Sequence, residues 1–472
     1  MPAIASPSAP AAPRHPASVA TRSPRSAAWR LGAVVVIWLT SLFVAALWVS
    51  GGAVDAVLSG SDALNALGRL CGLTAANLLL YQVLLMARVP LFERGFGRDG
   101  ITRMHRLVGF WSFWLMLAHI VLLVAGYAAV ALVNPLVQLW QFIWDYPGML
   151  LATGGTLLIV LVTVTSIRRA RRRLRYESWH LLHLYAYVGV GIALPHQLWA
   201  GADFTASPAA TAYWWTLWAL AAAAIVVFRL AVPAVRSWRH DLRVAAVEAD
   251  GAGGVTVRMR GLGLGRLSAR GGQFFVWRFL DGPGWSRGHP FSLSAAPRGD
   301  ELTISARIVG DGTQRLTTLT PGTRVLVEGP YGRLTGDERH GRKLLLIGAG
   351  AGVAPLVSLL EAEPYAAGDA ILLTRDSTPD AGLRGAAIAS LVRERGLRHV
   401  PLDGPRAPSD APWLPASHVA WNGADVFRHL APDLDEYDVF VCGPPPWMDA
   451  VTRDLRTAGV AAARIHTESF TI

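Results

Sequence analysis

Four histidines lie in apolar stretches with a spacing suited to metal ligands. His105 and His119 are fourteen residues apart in one stretch, and His183 and His196 are thirteen apart in another. In an ideal helix, fourteen residues bring a side chain back to within about 40° of its starting direction, about 21 Å along the axis. Neutral imidazole is a common axial ligand of haem iron, and an ionisable group at membrane depth usually has a function. The pattern predicts two stacked haems, held by His105 with His183 and by His119 with His196.

The second pair fits this pattern less well than the first. On an ideal helix thirteen residues leave His183 and His196 about 140° apart. Pro195 directly precedes His196 and is expected to kink or tighten the last turn. His180 as the ligand would be worse in phase. A lone histidine of this kind is more often a packed or hydrogen-bonded side chain, so the haem prediction depends on four histidines at matched depths.

A second group of residues has the types that flavin binding needs. The consecutive members are His289, Pro290, Phe291, Ser292, Leu293 and Ser294. An aromatic ring can stack on the isoalloxazine, a hydroxyl can hydrogen-bond its reactive nitrogen, and a polar side chain can meet the pyrophosphate. Arg307 and the turn that contains Gly310, Gly312 and Thr313 offer a cation and backbone N–H groups for phosphate. Either piece alone is equally compatible with an ordinary strand and turn.

A third group is typical of nucleotide binding. A buried-strand run, Lys343–Ile347, leads into a glycine-rich loop and then a helical stretch. Glycines between a strand and a helix let a pyrophosphate approach the helix amino terminus, although this loop is not a strict G-x-G-x-x-G. Arg375 follows the next strand and is a candidate for a 2′-phosphate or a solvated loop charge. The residues of the loop and of a later strand end that we single out are Gly348, Gly350, Gly352, Pro355, Cys442, Gly443 and Pro444.

The elements that must position these residues begin in a membrane. The chain has 472 residues, of which 52% are hydrophobic and 16% charged. This composition predicts membrane spans. Its net charge of +11 comes from Arg residues bunched beside apolar stretches, which favours a membrane surface over nucleic acid. Two cysteines are too few for an iron–sulfur cluster or a zinc finger. The six predicted spans are 31–49, 66–87, 107–131, 149–167, 179–200 and 212–235.

Charge in the loops predicts the orientation of these spans. The loops after the second, fourth and sixth spans are rich in Arg, whereas the other three contain Asp and no Lys or Arg. The positive-inside rule then places both termini in the cytoplasm, together with the half of the chain that follows the spans. The predicted location is the inner (plasma) membrane of a bacterial cell.

The rest of the chain divides into two soluble parts. Short β-type runs separated by Gly-rich turns predict a small antiparallel barrel with strands at 243–247, 255–260, 273–279, 301–308 and 324–328. Alternating strands and helices after that predict an α/β, Rossmann-like domain. The expected organisation is a disordered basic tail at 1–28, an all-α transmembrane haem domain at 29–237, an FAD-binding barrel at 238–338 and an NAD(P)-binding domain at 339–472.

In the order of these motifs, residues 31–472 resemble a bacterial form of the NADPH oxidase and ferric reductase superfamily. The resemblance implies a six-helix domain with two b-type haems on the four histidines, followed by a ferredoxin–NADP reductase-like module. It implies that His289 contacts phosphate, Phe291 stacks on the flavin and Ser292 meets flavin N5. It also implies that the glycine loop and Cys442-Gly443-Pro444 contact NADPH or NADH. Phe470 resembles the aromatic residue that covers the flavin ring until nicotinamide displaces it.

The expected function is transmembrane electron transfer from cytoplasmic NAD(P)H, through FAD and two haems, to an external small-molecule acceptor. Chelated ferric iron is the preferred acceptor, with molecular oxygen a close alternative. A second hypothesis is a haem-bearing membrane subunit that serves a partner redox protein. A third is a transporter or scaffold that kept the fold and lost the chemistry. The sequence leaves the choice of NADPH or NADH and the oligomeric state open.

Overall fold

The computed structural model describes residues 24–60, 62–171, 176–406 and 411–469. The chain forms two compact units that divide between Val235 and Arg236. Helix α1 begins at Pro24, inside the segment predicted to be a disordered tail. Ala27 and Ala28, which are strong helix formers, extend the apolar run at Trp29 towards the amino terminus. Residues 1–23 of the predicted tail lie outside the described residues.

The first unit is helical throughout its described residues. Its helices are α1 (Pro24–Ser50), α2 (Ala53–Ser59), α3 (Ala63–Met86), α4 (Pro90–Ala131), α5 (Pro135–Asp145), α6 (Met149–Ser166), α7 (Arg168–Arg171), α8 (Tyr176–Ile192), α9 (Leu194–Trp199), α10 (Ala202–Thr205) and α11 (Pro208–Ala224), followed by a π-helical segment, Ile225–Ala231, and α12 (Val232–His240). Gly97 interrupts α4 with φ of 65°, a left-handed conformation that favours glycine.

Five helices of the described residues are long and apolar enough to cross a membrane. They are Ala28–Ser50, Ala63–Met86, Gly100–Ala131, Met149–Ser166 and Pro208–His240. The predicted fifth span, 179–200, is helical but divided into α8 and α9, so neither piece reaches spanning length alone. Pro195 lies in the first turn of α9, where a missing N–H is tolerated. A six-span topology therefore stays a prediction.

Helix α3 is the central helix of this unit, although its sequence is the least apolar of the five. In its most apolar window 44% of the residues are buried, against 11–17% in the other four helices. Its polar side chains have partners on neighbouring helices. Asn77 accepts a hydrogen bond from Tyr213 at 2.8 Å, and Gln82 donates to Ser112 at 2.7 Å. The polar residues that weaken the span signal thus join helices together inside the unit.

The second unit begins with two antiparallel sheets that share one core. Their strands are β1 (Arg243–Ala249), β2 (Gly254–Arg260), β3 (Phe274–Phe279), β4 (His289–Ser292), β5 (Glu301–Arg307) and β6 (Val325–Tyr331). The orders are β1-β2-β5 and β4-β3-β6, and isolated bridges at Arg243–Arg324 and Leu293–Ile304 link the two sheets. Sequence analysis predicted five of these strands. The strand that it missed, β4, is the flavin motif itself.

A five-stranded parallel sheet follows, with helices packed on both faces. Its strands are β7 (Lys343–Ala349), β8 (Ala370–Asp376), β9 (Arg398–Asp403), β10 (Tyr437–Gly443) and β11 (Ile465–Ser469), in the order β11-β10-β7-β8-β9. In the antiparallel part, α13 (Asp311–Gln314) lies between β5 and β6. The helices of the α/β part are α14 (Val353–Ala362), α15 (Gly385–Arg395), α16 (Gly423–Leu430) and α17 (Pro445–Thr457). The strand order reverses direction between β7 and β10. In open α/β sheets ligands bind at such a switch point, at the carboxyl ends of the strands.

Candidate functional site

The first histidine pair brings together one imidazole of α4 and one of α8, with their ring planes at a steep angle. The ring centres of His105 and His183 are 6.0 Å apart, with an angle of 63° between the ring planes. With metal–nitrogen bonds of about 2.0 Å and a ring radius of about 1.1 Å, two trans imidazole ligands have their centres about 6 Å apart. Nδ1 of His183 lies 3.2 Å from Ser166 Oγ, an orientation that leaves Nε2 available as a ligand atom. His180 is exposed, which favours His183 over it as the partner of His105.

The second pair has its imidazoles oriented by backbone carbonyls. Nδ1 of His119 donates to the carbonyl oxygen of Gly68 on α3 at 2.8 Å, and Nδ1 of His196 donates to Ala193 O. A proton on Nδ1 leaves the lone pair on Nε2, the form that binds metal. His119 and His196 are close enough to interact electrostatically. Because α8 and α9 are separate helices, the ideal-helix phase difference between His183 and His196 does not apply.

Two glycines of α3 make room for His119. Besides the carbonyl of Gly68, the ring lies against Gly72, one turn further along the helix. A Cβ atom at Gly72 would be 2.4 Å from His119 Nδ1 and 2.6 Å from Cε1, so even an alanine would displace the ring. Sequence analysis did not single out these glycines. Their spacing of four residues on an apolar helix is the signal that could have identified them.

An ion pair that sequence analysis also missed lies on the same stretch of α3. Arg69 Nε is 2.8 Å from Asp203 Oδ2, and Arg69 Nη2 makes a second contact with the other carboxylate oxygen. The paired geometry compensates the charge of Arg69 inside an otherwise apolar helix. Arg69 directly follows Gly68, the residue that orients His119.

In the second unit, the flavin motif forms an ordered strand. β4 pairs antiparallel with β3, with Phe291 opposite Phe275 and Ser292 opposite Phe274. The indole nitrogen of Trp277 donates to Phe291 O at 2.9 Å and holds the strand in place. Ser292 is mostly buried and Phe291 is half-buried. The strand therefore presents the predicted stacking ring and hydroxyl from a rigid element.

Cations that sequence analysis did not assign surround His289. Burial lowers the pKa of His289, and three nearby guanidinium groups lower it further. They belong to Arg315, Arg287 and Arg278. A Cβ atom at Gly312 would lie 2.9 Å from the His289 ring, so the predicted phosphate turn and the strand are in contact. Arg315 is paired with Asp281 and Arg278 with Glu328, so these carboxylates balance part of the charge. The guanidinium groups that remain close to His289 suit the pyrophosphate of FAD.

Three residues of the predicted flavin contacts have other roles. Leu293 and Ser294 are fully buried: Leu293 packs in the core of the two sheets, and Ser294 accepts a hydrogen bond from Ser305. Because both side chains are enclosed by other protein atoms, neither reaches a ligand at the surface. The hydroxyl of Thr313 accepts hydrogen bonds from the backbone N–H groups of Val309 and Gly310, so it closes its own turn. These side-chain assignments are corrected accordingly.

The two nucleotide motifs meet at the switch point of the parallel sheet. Gly348 in β7 is paired with Cys442 in β10, and a Cβ atom at Gly352 would be 2.1 Å from the carbonyl oxygen of Cys442. Only glycine lets the backbone at position 352 lie this close to the carbonyl of Cys442. Gly350 has φ of 56°, a left-handed conformation that also favours glycine. The loop therefore brings the backbone close to the site at which a dinucleotide binds such sheets.

The neighbouring residues of the two motifs support this loop. Cys442 is fully buried and its thiol donates to Glu468 O at 3.4 Å. Pro355 is buried within α14, whereas Pro444 directly precedes α17 as its N-cap residue. A Cβ atom at Gly443 would be 2.8 Å from the Trp447 ring, which again leaves no room for a side chain.

Two arginines proposed as phosphate ligands are engaged elsewhere. The Arg375 guanidinium is buried, and it donates to the carbonyl oxygens of Trp413 and Leu402 at 3.2 Å. Arg307 forms an ion pair with Asp376 and also donates to Ala381 O. Both arginines therefore hold the α/β part together or join it to β5, and the structure argues against their predicted contacts with phosphate. Phe470, the predicted flavin cover, lies outside the described residues.

Comparison with known proteins agrees with this two-part arrangement. Residues 71–194 match the family described as ferric reductase like transmembrane component. The match includes three of the four ligand histidines predicted from the sequence and ends before His196. The chain carries a ferric reductase-like transmembrane domain. A ferredoxin reductase-type FAD and NAD module follows it, which confirms the superfamily predicted from the sequence.

Two relatives of known name are similar to parts of the chain. The ferredoxin reductase component of 3-ketosteroid-9-alpha-monooxygenase from Rhodococcus rhodochrous is 27% identical over 209 residues, 43% of this chain and 57% of that protein. A heavy chain of the superoxide-generating NADPH oxidase from Dictyostelium discoideum is 26% identical over 235 residues, 45% of this chain and 42% of that protein. The ferric reductase-like chain thus matches about half of the length of each of these relatives.

A solved structure, the ferredoxin reductase in carbazole 1,9a-dioxygenase, has 24% identity to the chain and a TM-score of 0.39, covering 49% of this chain and 69% of that one. With its apolar helices and transmembrane family domain, the ferric reductase-like chain is an integral membrane protein.

Proposed function

We propose that the protein transfers electrons from cytoplasmic NAD(P)H, through FAD and two b-type haems, to an acceptor on the other side of a bacterial inner membrane. The main support is the geometry of the first histidine pair, whose ring centres are 6.0 Å apart on two apolar helices. At that separation the two imidazoles could hold one iron ion between them. The module that follows supplies the residue types that FAD and a nicotinamide cofactor need.

The residues of the membrane domain act by holding iron in fixed positions. His105 with His183, and His119 with His196, are the proposed axial ligands. The carbonyls of Gly68 and Ala193 fix the tautomer and ring direction of the second pair. Buried histidine ligands would influence the reduction potential of a haem in two ways. The basicity of the imidazoles changes the electron density at the iron, and burial excludes water from it. No side chain in the membrane domain needs to act as an acid or base.

The residues of the module would bind FAD and the nicotinamide cofactor and orient them. Bound FAD would supply the chemistry that couples two-electron hydride transfer from a nicotinamide cofactor to one-electron transfer to haem. Phe291 is the proposed stacking partner and Ser292 the proposed partner of flavin N5. His289 and its neighbouring arginines would hold the pyrophosphate. Gly350 and Gly352 leave the switch point open for the pyrophosphate of NADPH or NADH, beside Cys442, Gly443 and Pro444.

The proposed topology has six spans and cytoplasmic termini. Charge in the loops supports it, since Arg residues concentrate on one predicted side. The fifth span would be formed by α8 together with α9, which have 17 and 6 residues. At about 1.5 Å per residue the two reach nearly 35 Å, enough to cross the hydrocarbon core of about 30 Å.

The acceptor is proposed from two alternatives. The family of the membrane domain favours chelated ferric iron, and the resemblance to a superoxide-generating relative favours molecular oxygen. Sealed vesicles loaded with NADPH or NADH would distinguish them by the product outside, either ferrous iron or superoxide. Oxygen would be the acceptor if superoxide forms at the same rate with and without the ferric chelate.

A redox spectrum of the purified, haem-supplied protein tests the proposal as a whole. NADPH or NADH alone should produce the bands of reduced b-type haem in protein that contains FAD. Bands that appear only with dithionite would show that a partner protein delivers the electrons. A protein without Soret absorption would refute the haem assignment.

A further inference from the structure

The end of the parallel sheet opposite the glycine loop carries a cluster of two histidines and a carboxylate. Asp438 is the second residue of β10, His466 lies in β11, and His340 precedes β7. Asp438 precedes Cys442 by four residues, which in a strand corresponds to about 13 Å. The cluster is therefore distant from the proposed nicotinamide site, and the proposed electron transfer does not use it.

The spacing within the cluster is close to that of metal ligands. One nitrogen of each imidazole and one oxygen of Asp438 lie within 4.8 Å of one another. His466 Nε2 is 3.5 Å from Asp438 Oδ1, at the upper limit of a hydrogen bond, and His340 Nδ1 is 3.9 Å from the same oxygen. Ligand atoms on one tetrahedral ion are about 3.3 Å apart. Atoms that lie up to 4.8 Å apart must therefore approach one another by up to about 1.5 Å, and the His340 ring must turn to bring Nε2 towards Asp438.

The two imidazole rings lie side by side in the cluster. The centres of the His340 and His466 rings are 6.1 Å apart, and the ring planes are nearly parallel. Two imidazoles on one tetrahedral ion have centres about 5 Å apart, so the rings must approach by about 1 Å to share an ion. Phe440 packs against the His466 ring with a centroid distance of 4.8 Å and shields that side of the cluster from water.

Hydrogen bonds inside the cluster leave a ligand atom without a partner. His340 Nδ1 donates to Glu338 O at 2.6 Å, which places the lone pair on Nε2. That Nε2 atom is buried and has no hydrogen-bond partner among residues 24–60, 62–171, 176–406 and 411–469. A buried polar atom without a partner is costly, and a bound cation would remove the cost.

Asp438 is held ready as an anion. Its Oδ2 atom accepts N–H groups from His340, at 2.6 Å, and from Gly341, so Oδ1 is the oxygen that faces the histidines. Burial would raise the pKa of Asp438, but hydrogen bonds from His466 and from the two N–H groups bring it below its usual value. The neighbouring Arg339 guanidinium donates to the backbone carbonyls of Gly341, Arg342 and Pro364.

We propose that His340, Asp438 and His466 form a binding site for a divalent transition-metal ion, with a fourth position open to water. Two imidazoles and a carboxylate suit Zn²⁺ and its neighbours in the first transition row. The three ligands come from β10, β11 and the segment before β7, so a bound ion ties the last described strand of the chain to the centre of the sheet. The role of such an ion is structural, since the switch point lies about 13 Å away.

Zinc uptake by the full-length protein tests this site. The protein, purified through a tag without histidine, is stripped with a chelator and equilibrated with about 10 μM free Zn²⁺. Zinc per chain is then measured by mass spectrometry, and thermal unfolding is followed with and without zinc. The variants are His340→Asn and His466→Asn, and the matched control is His429→Asn, which removes an exposed histidine outside the cluster.

The expected result is about one zinc per wild-type chain, with zinc affinity at least about tenfold weaker in both cluster variants and unchanged in the control. Zinc should raise the unfolding temperature of the wild type and not that of His340→Asn. Because His340 lies in a loop, this variant remains informative if His466→Asn does not fold. Absence of zinc from the wild type, or equal zinc in wild type and His340→Asn, overturns the proposal. Neither readout depends on haem or flavin.

Discussion

The contact between Gly72 and His119 yields the sharpest test of the proposed haem ligands. A Cβ atom at Gly72 would be 2.4 Å from His119 Nδ1, whereas ordinary contacts begin at 3.4 Å. In Gly72→Ala the imidazole must therefore move by about 1 Å, because a packed interior does not absorb such a clash. The move breaks the 2.8 Å hydrogen bond to Gly68 O that orients the ring. Loss of an orienting bond of this kind costs about 10- to 100-fold in metal affinity.

Haem content is the assay for this variant. Pyridine haemochrome analysis should give about two haems per wild-type chain and about one in Gly72→Ala. Reduction of FAD by the nicotinamide cofactor should be unchanged, since the substitution lies in the other unit. Transfer to an external acceptor should fall with the missing haem.

A matched control separates the clash from a general effect of the substitution. Gly191 lies in α8, and a Cβ atom there would have nothing within 4 Å. In Gly191→Ala the haem content should stay at the wild-type value, and the helix should gain up to about 1 kcal/mol of intrinsic stability. Two intact haems in Gly72→Ala, with an unchanged spectrum, would refute the assignment of His119 as a ligand.

Three further predictions concern the module. Arg315→Ala should weaken FAD binding about tenfold, because it removes a positive charge near His289. As a control, Arg428→Ala removes an exposed arginine elsewhere and should leave FAD binding unchanged. Equal FAD retention in the two variants would contradict the cationic site. The pKa of His289 is lowered in the flavin-free protein and a bound anion would raise it, so FAD affinity should increase as the pH falls into the range where His289 takes up a proton. Titrations of wild type and His289→Gln should differ in this slope, and parallel slopes would count against the contact. Arg375→Ala should lower the unfolding temperature, because three backbone carbonyls lose their hydrogen-bond donor. The same variant should leave the ratio of NADPH to NADH activity unchanged. A large shift in that ratio would support the contact between Arg375 and a 2′-phosphate.

Local patterns allowed several features to be predicted from the sequence. The apolar periods identified the membrane segments, and the glycine-rich turn after a buried strand identified the nucleotide loop. The interruption near Pro195 was also predictable, since proline lacks the N–H that continues a helix. The weak span signal of α3 has a physical reason that sequence alone does not reveal, namely that Asn77 and Gln82 bond to neighbouring helices.

Residue types and their order determined what chemistry this protein can support: histidines for iron, an aromatic and a hydroxyl for flavin, and glycines for a dinucleotide. The tertiary structure decided which of these side chains are free to contact a cofactor. Arg375 and Ser294 have suitable types, but both are buried and bonded within the fold. The structure also brought together Gly72 and His119, and the cluster around Asp438, from segments far apart in the chain. Such long-range contacts depend on how helices and strands pack, and no local pattern of residues encodes them.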